Sequence, residues 1–431
     1  MSIRGFASKA AAAENELITA SKKFTISPAV VVTRITQTAR KFPTRSSIKT
    51  LAIVQTVSSS ISLIATITVI CMIARSHTKL SSTFHRLLFG LCISDLFSSL
   101  GVTLSTIPIP SKYNQSIWWN AQGTIETCTT QGLFIFVGLR AEQFYNCSLC
   151  LYYLFVIKYN KKEDYIRKYV EPWLHSVPIF LSLLFGIIIA AKDSFNPGLT
   201  FCGVGADPPG CISNDALECT RGRDAQTMYK IFAAVPYVVL PFIIVFTMGL
   251  MYHAARQNER KMSGYGIHTL RLRADTNTDD NNNADGGESE KNLSESRISK
   301  RFKEIFSFRF SQSTPSQSRL SRSNKLNKQS KMIVQRALAY SLAYLFSYIV
   351  PLIISIMKWR GETVGYGITL VSRILFPLQG FFNFLVFIFP RILNARKRNA
   401  NLSWSRAFVH ALKSRGQRPR GTARNRLSQQ N

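Results

Sequence analysis

The sequence predicts an all-α membrane protein, a bundle of seven transmembrane helices with its N-terminus outside and its C-terminus in the cytoplasm. Three observations predict this fold: long apolar runs, basic residues on alternate connections, and cysteines on the other connections. Only 18% of the 431 residues are charged and 46% are hydrophobic, whereas soluble proteins carry roughly 25% charged residues. The net charge of +31 is typical of nucleic-acid binders or of membrane proteins with basic cytoplasmic loops.

Seven apolar runs give the helices. Each is close to the ~20 residues that a helix needs to cross ~30 Å of hydrocarbon, and most are apolar nearly all round, unlike the amphipathic helices of a soluble all-helical enzyme. The runs lie near 51–74, 87–108, 132–157, 173–191, 231–253, 337–357 and 366–390. We divide the chain into a disordered extracellular tail (1–49), helices 1–5 (50–253), a disordered cytoplasmic loop (254–330), helices 6–7 (331–390) and a basic cytoplasmic tail with an amphipathic helix (391–431).

The charges on the connections predict the orientation. The connections after the first, third and fifth runs are rich in Lys and Arg, and the tail after residue 390 has eleven such residues and no Asp or Glu. By the positive-inside rule this set is cytoplasmic. The N-terminal tail opposes the assignment with nine basic and two acidic residues, but the sum over the loops outweighs it.

Cysteines support the same orientation. Four of the eight, Cys128, Cys202, Cys211 and Cys219, fall on the predicted outer side, where oxidising conditions permit disulfides. Four cysteines allow three pairings, and the residues alone leave all three open. Asn114 begins a glycosylation sequon on the same side.

Several short motifs resemble those of G-protein-coupled receptors. LCISDL (91–96) resembles a second-helix pattern and places Asp95 at its acidic position, and Trp118 and Trp119 precede Cys128 much as an outer-loop tryptophan does in that family. PLQGFFNFLVFIFPR (377–391) resembles the slime-mould cyclic-AMP-receptor-like group. The chain departs from the family in having no Asp/Glu-Arg-Tyr after the third run and no Asn-Pro-x-x-Tyr in the seventh.

The resemblance implies a function and a cysteine pairing. It implies that Cys128 pairs with Cys202, which leaves Cys211 for Cys219. It also implies a non-enzymatic receptor, with no cofactor, that binds an unknown extracellular ligand at the plasma membrane and signals to a heterotrimeric G protein.

Two charges interrupt the third apolar run. A charge at the bilayer centre costs roughly 2.5–3.5 kcal/mol on insertion scales, so it is retained with a partner or a function. Arg140 and Glu142 are two residues apart and therefore point to opposite sides of a helix. We hypothesise one buried polar network that couples the outer ligand site to the cytoplasmic face. Its members are Asp95, Arg140, Glu142, Asn146, Arg373, Gln379 and Asn383. The structural alternative is a set of static ion pairs that only fix the packing of the helices. The positive charges of Arg140 and Arg373, near the outer half of the bundle, favour an anionic ligand.

Further features concern movement and the inner surface. Pro351 lies in the sixth run, where a proline kink could act as a hinge. KRFKEIFSFRF (300–310) alternates basic and aromatic residues, and 403–415 can place Trp404, Phe408 and Leu412 on one helical face. The first pattern suits an anionic lipid surface or a G-protein contact, and the second suits a helix lying on the inner membrane surface with its anionic lipids.

Other functions fit the sequence less well. A retinal protein needs a lysine within the last helix, and 366–390 has none. A metal hydrolase needs clustered ligands, and of six histidines only His175 lies within a run. A membrane transporter or ion-coupled carrier is the alternative function, since buried charges also mark ion pathways, although no internal repeat is visible. We expect no nucleic-acid partner and no metal.

Overall fold

The computed structural model describes residues 44–113, 118–208, 211–213, 218–279, 317–360, 362–399 and 401–414, with side chains omitted at 213, 258–279 and 317–331. The sequon at Asn114, the extracellular tail before residue 44 and the KRFKEIFSFRF segment lie outside the described residues. Predictions for these segments therefore stay predictions.

The described chain is mostly helical. Its helices are α1 (Arg45–Arg75), α2 (Thr83–Thr103), α3 (Ile125–Ile157), α4 (Glu163–Ala191), α5 (Ala225–Met228, a π-helical turn Tyr229–Ala234, and Val235–Asp279), α6 (Gln317–Trp359), α7 (Tyr366–Leu375, a 3₁₀ turn Phe376–Leu378, and Gln379–Arg398) and α8 (Trp404–Lys413). Strands β1 (Phe195–Pro197) and β2 (Cys202–Val204) pair antiparallel between α4 and α5.

Six of the described helices are long and apolar enough to cross a membrane: α1, α2, α4, α5, α6 and α7. The helix α3 is long enough, at 33 residues, but Arg140, Glu142, Gln143 and Asn146 reduce its apolarity. All four of these side chains are buried. These four polar side chains of α3 are therefore shielded from hydrocarbon by the neighbouring helices.

The third helix begins earlier than its apolar run. Its first turn is a capping box: the Thr124 hydroxyl accepts from the Thr127 N–H at 3.3 Å, and the Thr127 hydroxyl accepts from the Thr124 N–H at 2.8 Å. These bonds satisfy donors that a helix start leaves open. The cap extends α3 to Ile125, so Cys128 lies within its first turn.

The bundle packs around α3, which contacts α2, α4, α5 and α6. Small residues allow this close approach. A Cβ at Gly138 would lie 2.6 Å from the Ser98 backbone nitrogen of α2, and a Cβ at Gly132 would lie 2.7 Å from the Phe195 ring of β1. The largest buried apolar cluster fills the half of the bundle that contains Leu91 and Leu149.

Helical backbone extends into the segment between α5 and α6. The sequence predicts a disordered loop at 254–330, whereas α5 continues to Asp279 and α6 begins at Gln317. Residues 280–316 are not described. The helical ends are polar, so apolar run length could not locate them.

Candidate functional site

The β1–β2 hairpin forms a roof over one end of the bundle. A disulfide joins Cys128 of α3 to Cys202 of β2, with an S–S distance of 2.00 Å. The Gln131 side chain accepts from the Cys202 N–H at 3.0 Å and donates to the carbonyls of Gly101 and Ser105 at 2.9 and 2.8 Å. Covalent and hydrogen bonds therefore fix the hairpin to α2 and α3.

Further contacts fix the roof at its edges. The Trp118 indole donates to the Gly198 carbonyl at 2.7 Å, and the Thr200 hydroxyl donates to Gln55 of α1 at 2.6 Å. The second disulfide joins Cys211 to Cys219. Both bonds are the pairs that the receptor resemblance implies. Nearby, the Tyr113 hydroxyl donates to Asp207, and burial together with this carboxylate raises the pKa of Tyr113.

Beneath the roof lies a cavity of about 620 Å³, which we call the outer cavity. This volume lies within the usual range of small-molecule sites, roughly 300–1,000 Å³. Helices α1, α3, α5, α6, α7 and the hairpin all contribute to its wall. Its aromatic residues are Phe136, Phe195, Phe201, Tyr229, Tyr237, Tyr366 and Phe376. Its charged residues are Arg140, Lys358 and Arg373, and none of the described residues that line it is acidic.

Arg140 occupies the wall of the outer cavity that α3 forms. Its side chain is 2% exposed, and its guanidinium lies 4.3 Å from the Tyr237 ring centroid and 5.4 Å from that of Phe136. One long hydrogen bond, 3.4 Å, reaches the Ala233 carbonyl in the π-helical turn of α5. The Nε atom of Arg140 has no hydrogen-bond partner within the described residues.

The other two cations approach from α6 and α7. The Arg373 guanidinium lies 5.0 Å from the Phe201 ring of the roof, and the Lys358 ammonium lies 5.6 Å from the Tyr229 ring. Lys358 is exposed at the outer end of α6. Neither residue forms an ion pair with a carboxylate of the described chain. All three cations of the cavity thus contact aromatic ring faces rather than carboxylates.

Asp95 marks a separate polar layer deeper in the bundle. Its carboxylate is 2% exposed and accepts hydrogen bonds from the hydroxyls of Thr66 on α1 and Ser99 on α2. Gly380 of α7 lies against it, and a Cβ at this position would overlap Asp95, Thr66 and Ser62. Glycine therefore allows α7 to approach the carboxylate.

The other predicted network residues of this layer bond mainly within their own helices. Asn146 donates to the backbone carbonyl of Glu142 at 3.0 Å, and Gln379 donates to Asn383 at 3.3 Å. Glu142 is 1% exposed, and its Oε1 atom has no hydrogen-bond partner among the described residues. Of the seven predicted side chains, Arg140 and Arg373 thus line the outer cavity, and the other five do not.

Pro351 connects the cavity to the shape of α6. It lines the outer cavity and lacks the N–H that would bond the preceding turn. Its carbonyl accepts from the Ser355 hydroxyl at 2.8 Å. The placement is compatible with the predicted hinge, which stays a prediction.

A second cavity, of about 370 Å³, lies at the opposite end of the bundle between α2, α6, α7 and α8. We call it the inner cavity. Its basic residues are His85, Arg336, Arg391, Arg398 and His410, and none of the described residues that line it is an aspartate or a glutamate. The Arg391 guanidinium lies 4.2 Å from the Phe387 ring. Its Nη1 atom is buried and has no hydrogen-bond partner among the described residues.

Several site residues were not predicted from the sequence. Lys358 lies just beyond the apolar run 337–357, and Tyr229, Tyr237 and Arg336 belong to none of the motifs described above. Arg86 on α2 also forms a partly buried ion pair with Glu171 on α4, and its Nη2 atom lies 2.6 Å from Glu171 Oε2. A basic residue near the end of an apolar run could have signalled Lys358, but no pattern indicates which way it points.

Within the described residues, no group of three His, Cys, Asp or Glu side chains is arranged to hold a metal ion.

The short helix α8 follows α7 directly. Ala407 and Ala411 of α8 are fully buried, whereas Trp404 is half-exposed beneath the Arg396 guanidinium at 4.2 Å. The basic–aromatic pair therefore faces outward from the bundle.

Comparison with known protein families gives a match to part of the chain. Residues 321–394 match a family described as "G protein-coupled glucose receptor regulating Gpa2 C-term". The match covers most of α6 and α7, and with them Pro351, Lys358 and Arg373 of the outer cavity and Arg336 and Arg391 of the inner one. No curated protein matches the chain. The similarity supports the receptor resemblance in its general form, and the finer resemblance to the slime-mould group stays a prediction.

Proposed function

We propose that the chain is a G-protein-coupled receptor, with an extracellular ligand in the outer cavity and a heterotrimeric G protein at the inner cavity. The match of residues 321–394 to a family described as a G protein-coupled glucose receptor carries the proposal. The matched helices line a cavity at each end of the bundle. Coupling between two sites requires an element that contacts both.

The proposal includes seven transmembrane helices. The helix α3 joins the six apolar ones because its polar residues are buried among its neighbours and its 33 residues are sufficient in length. The N-terminus is then outside and the C-terminus cytoplasmic, in agreement with the basic inner connections. The α7 motif at 377–391 also favours a kinship with slime-mould receptors. We place the protein in the plasma membrane.

Signalling through α6 is the proposed mechanism. Pro351 and Lys358 lie at the outer cavity and Arg336 at the inner one. The 15 residues from Arg336 to Pro351 correspond to roughly 22 Å of helix. A ligand that draws Lys358 inward bends α6 at Pro351 and moves Arg336, which opens the inner cavity to the G protein.

The inner cavity offers the partner a basic surface. Arg336, Arg391 and Arg398 supply three positive charges without an acidic residue in its described lining. Such a surface attracts a carboxylate-bearing segment of a G-protein α subunit. Trp404 and Arg396 beside it suit the anionic inner leaflet.

The test is co-purification from native cells with and without a non-hydrolysable GTP analogue. The proposal predicts that a Gα subunit is retained without nucleotide and released by the analogue. Arg391→Gln weakens retention, whereas Arg406→Gln, on the exposed face of α8, does not. If no Gα is retained and proteoliposomes show solute flux instead, the protein is a carrier and the proposal is wrong.

A further inference from the structure

The outer cavity contains three cations without an acidic counterpart. Arg140, Lys358 and Arg373 line it, and no carboxylate of the described chain forms an ion pair with any of them. A buried guanidinium that shares a cavity with two further cations is unfavourable without a counter-charge, so such an arrangement is retained when an anion compensates it.

Arg140 shows where compensation is missing. It is almost fully buried, yet its hydrogen bond to the Ala233 carbonyl is long, 3.4 Å, its other polar contact is with the uncharged Tyr237, and its Nε has no hydrogen-bond partner among the described residues. Cation–π contacts with Tyr237 and Phe136 contribute roughly 0.5–2 kcal/mol, less than the several kcal/mol that desolvating an ion costs. Glu142 is near enough to interact electrostatically with Arg140, but it forms no ion pair with it among the described residues and does not line the cavity.

Aromatic rings and hydroxyl groups form much of the remaining wall. Phe136, Phe195, Phe201 and Phe376 present ring surfaces, and the hydroxyls of Tyr229 and Ser355 lie 3.2 Å apart. Further hydroxyl side chains line the cavity: Thr44, Ser47, Tyr237, Tyr366, Thr369 and Ser372. Hydroxyls can bond a neutral or an anionic ligand, so it is the three cations without an acidic counterpart that favour an anion, and the rings that favour an apolar body.

We propose that the outer cavity binds a small organic anion, its oxyanion group held by Arg140, Lys358 and Arg373 and its apolar part on the surrounding rings. This inference rests on the proposed function, of which it specifies the ligand class. Guanidinium groups suit an oxyanion because they can donate two parallel hydrogen bonds.

The test uses the purified full chain in zwitterionic nanodiscs. The probes are phenylacetate, phenyl phosphate and inorganic phosphate, with phenylacetamide and glucose as neutral comparators. Stability against heat is measured across a concentration series of each. We expect at least one of the two aromatic anions to raise the melting temperature, and phenylacetamide and glucose to leave it unchanged. Inorganic phosphate is expected to bind more weakly than phenyl phosphate, since it lacks the apolar part.

Variants then locate the site. Arg373→Gln and Lys358→Gln are each expected to weaken anion binding about tenfold or more, the loss of one charge-assisted hydrogen bond. Lys230→Gln is the matched control, because Lys230 is an exposed lysine at the outer end of α5 that does not line this cavity. At the buried position the variant is Arg140→Lys, which keeps the positive charge, because loss of the charge in Arg140→Gln could prevent folding.

Three results overturn the inference: no anion of the panel stabilises the protein, a neutral comparator stabilises it equally, or stabilisation survives in the Lys358→Gln, Arg373→Gln double variant. A second series in nanodiscs with phosphatidylglycerol separates lipid from soluble ligand. If the anionic lipid stabilises the protein through the same residues, the oxyanion belongs to a lipid headgroup. No G protein enters these measurements, so failure of coupling leaves the binding result intact.

Discussion

Two buried glutamines of α3 allow the roof contacts to be measured. Gln131 makes three hydrogen bonds, one from the Cys202 N–H and two to the carbonyls of Gly101 and Ser105. Gln143 is equally buried, but neither of its amide atoms has a hydrogen-bond partner among the described residues. The two positions therefore share residue type, helix and burial and differ in bonding.

We expect replacement by methionine to change the free energy of unfolding differently at the two positions. Each of the two lost bonds to the carbonyls costs about 1 kcal/mol, and the buried Cys202 N–H left without an acceptor costs about 1–3 kcal/mol. We therefore expect Gln131→Met to destabilise the protein by about 3–5 kcal/mol. Gln143→Met removes a desolvated amide that bonds nothing within the described chain, so its expected effect is near zero or stabilising by about 1 kcal/mol.

The assay uses the protein's own thiols. Cys92, Cys147 and Cys150 are buried and Cys71 is exposed, so a thiol-reactive fluorophore reports unfolding above a constant background. Melting curves of the two variants in the same detergent give the comparison. Equal midpoints, or a lower midpoint for Gln143→Met, would refute the reasoning from hydrogen bonds.

Three further substitutions, two of them with a matched control, test the packing. Gly380→Ala places a methyl group against the buried carboxylate of α2 and is expected to lower the melting temperature sharply, whereas Gly249→Ala, with no atom within 4 Å, should stabilise the protein by about 0.5–1 kcal/mol. Arg86→Met leaves the buried carboxylate of Glu171 with only Thr83 and His175 as partners and should cost about 2 kcal/mol. The control, Arg223→Met in an exposed pair, should cost less than about 0.5 kcal/mol. Ala407→Leu should undock α8 and increase its hydrogen exchange; unchanged exchange would contradict the observed packing.

The helices were predictable because apolar length is a sufficient signal in a membrane. The ends of the helices were harder to predict, because the start of α3 depends on the Thr124 cap and the inner extensions of α5 and α6 are polar. The disulfide pairs came from a family resemblance, since spacing alone left three pairings open.

Part of the cavity lining carries a signal in the sequence. Sequence reasoning selected Arg140 and Arg373 as charges that need an explanation, and both line one cavity. It grouped them with Asp95 and Glu142, which do not line that cavity. Glu142 diverges from Arg140 because residues two apart point to opposite sides of a helix, and the 3₁₀ turn Phe376–Leu378 lies between Arg373 and Gln379. Hydropathy patterns contain no signal for that turn.

The measurement that tests the central claim most directly is the rate of GDP release from a Gα subunit of the native cells, with and without the reconstituted protein. The account predicts that the protein accelerates release, that the effect is reduced by Arg391→Gln, and that an anion of the outer cavity changes it further. Release that is unaffected by the protein, with every Gα of those cells and in the presence of each anion, would contradict it.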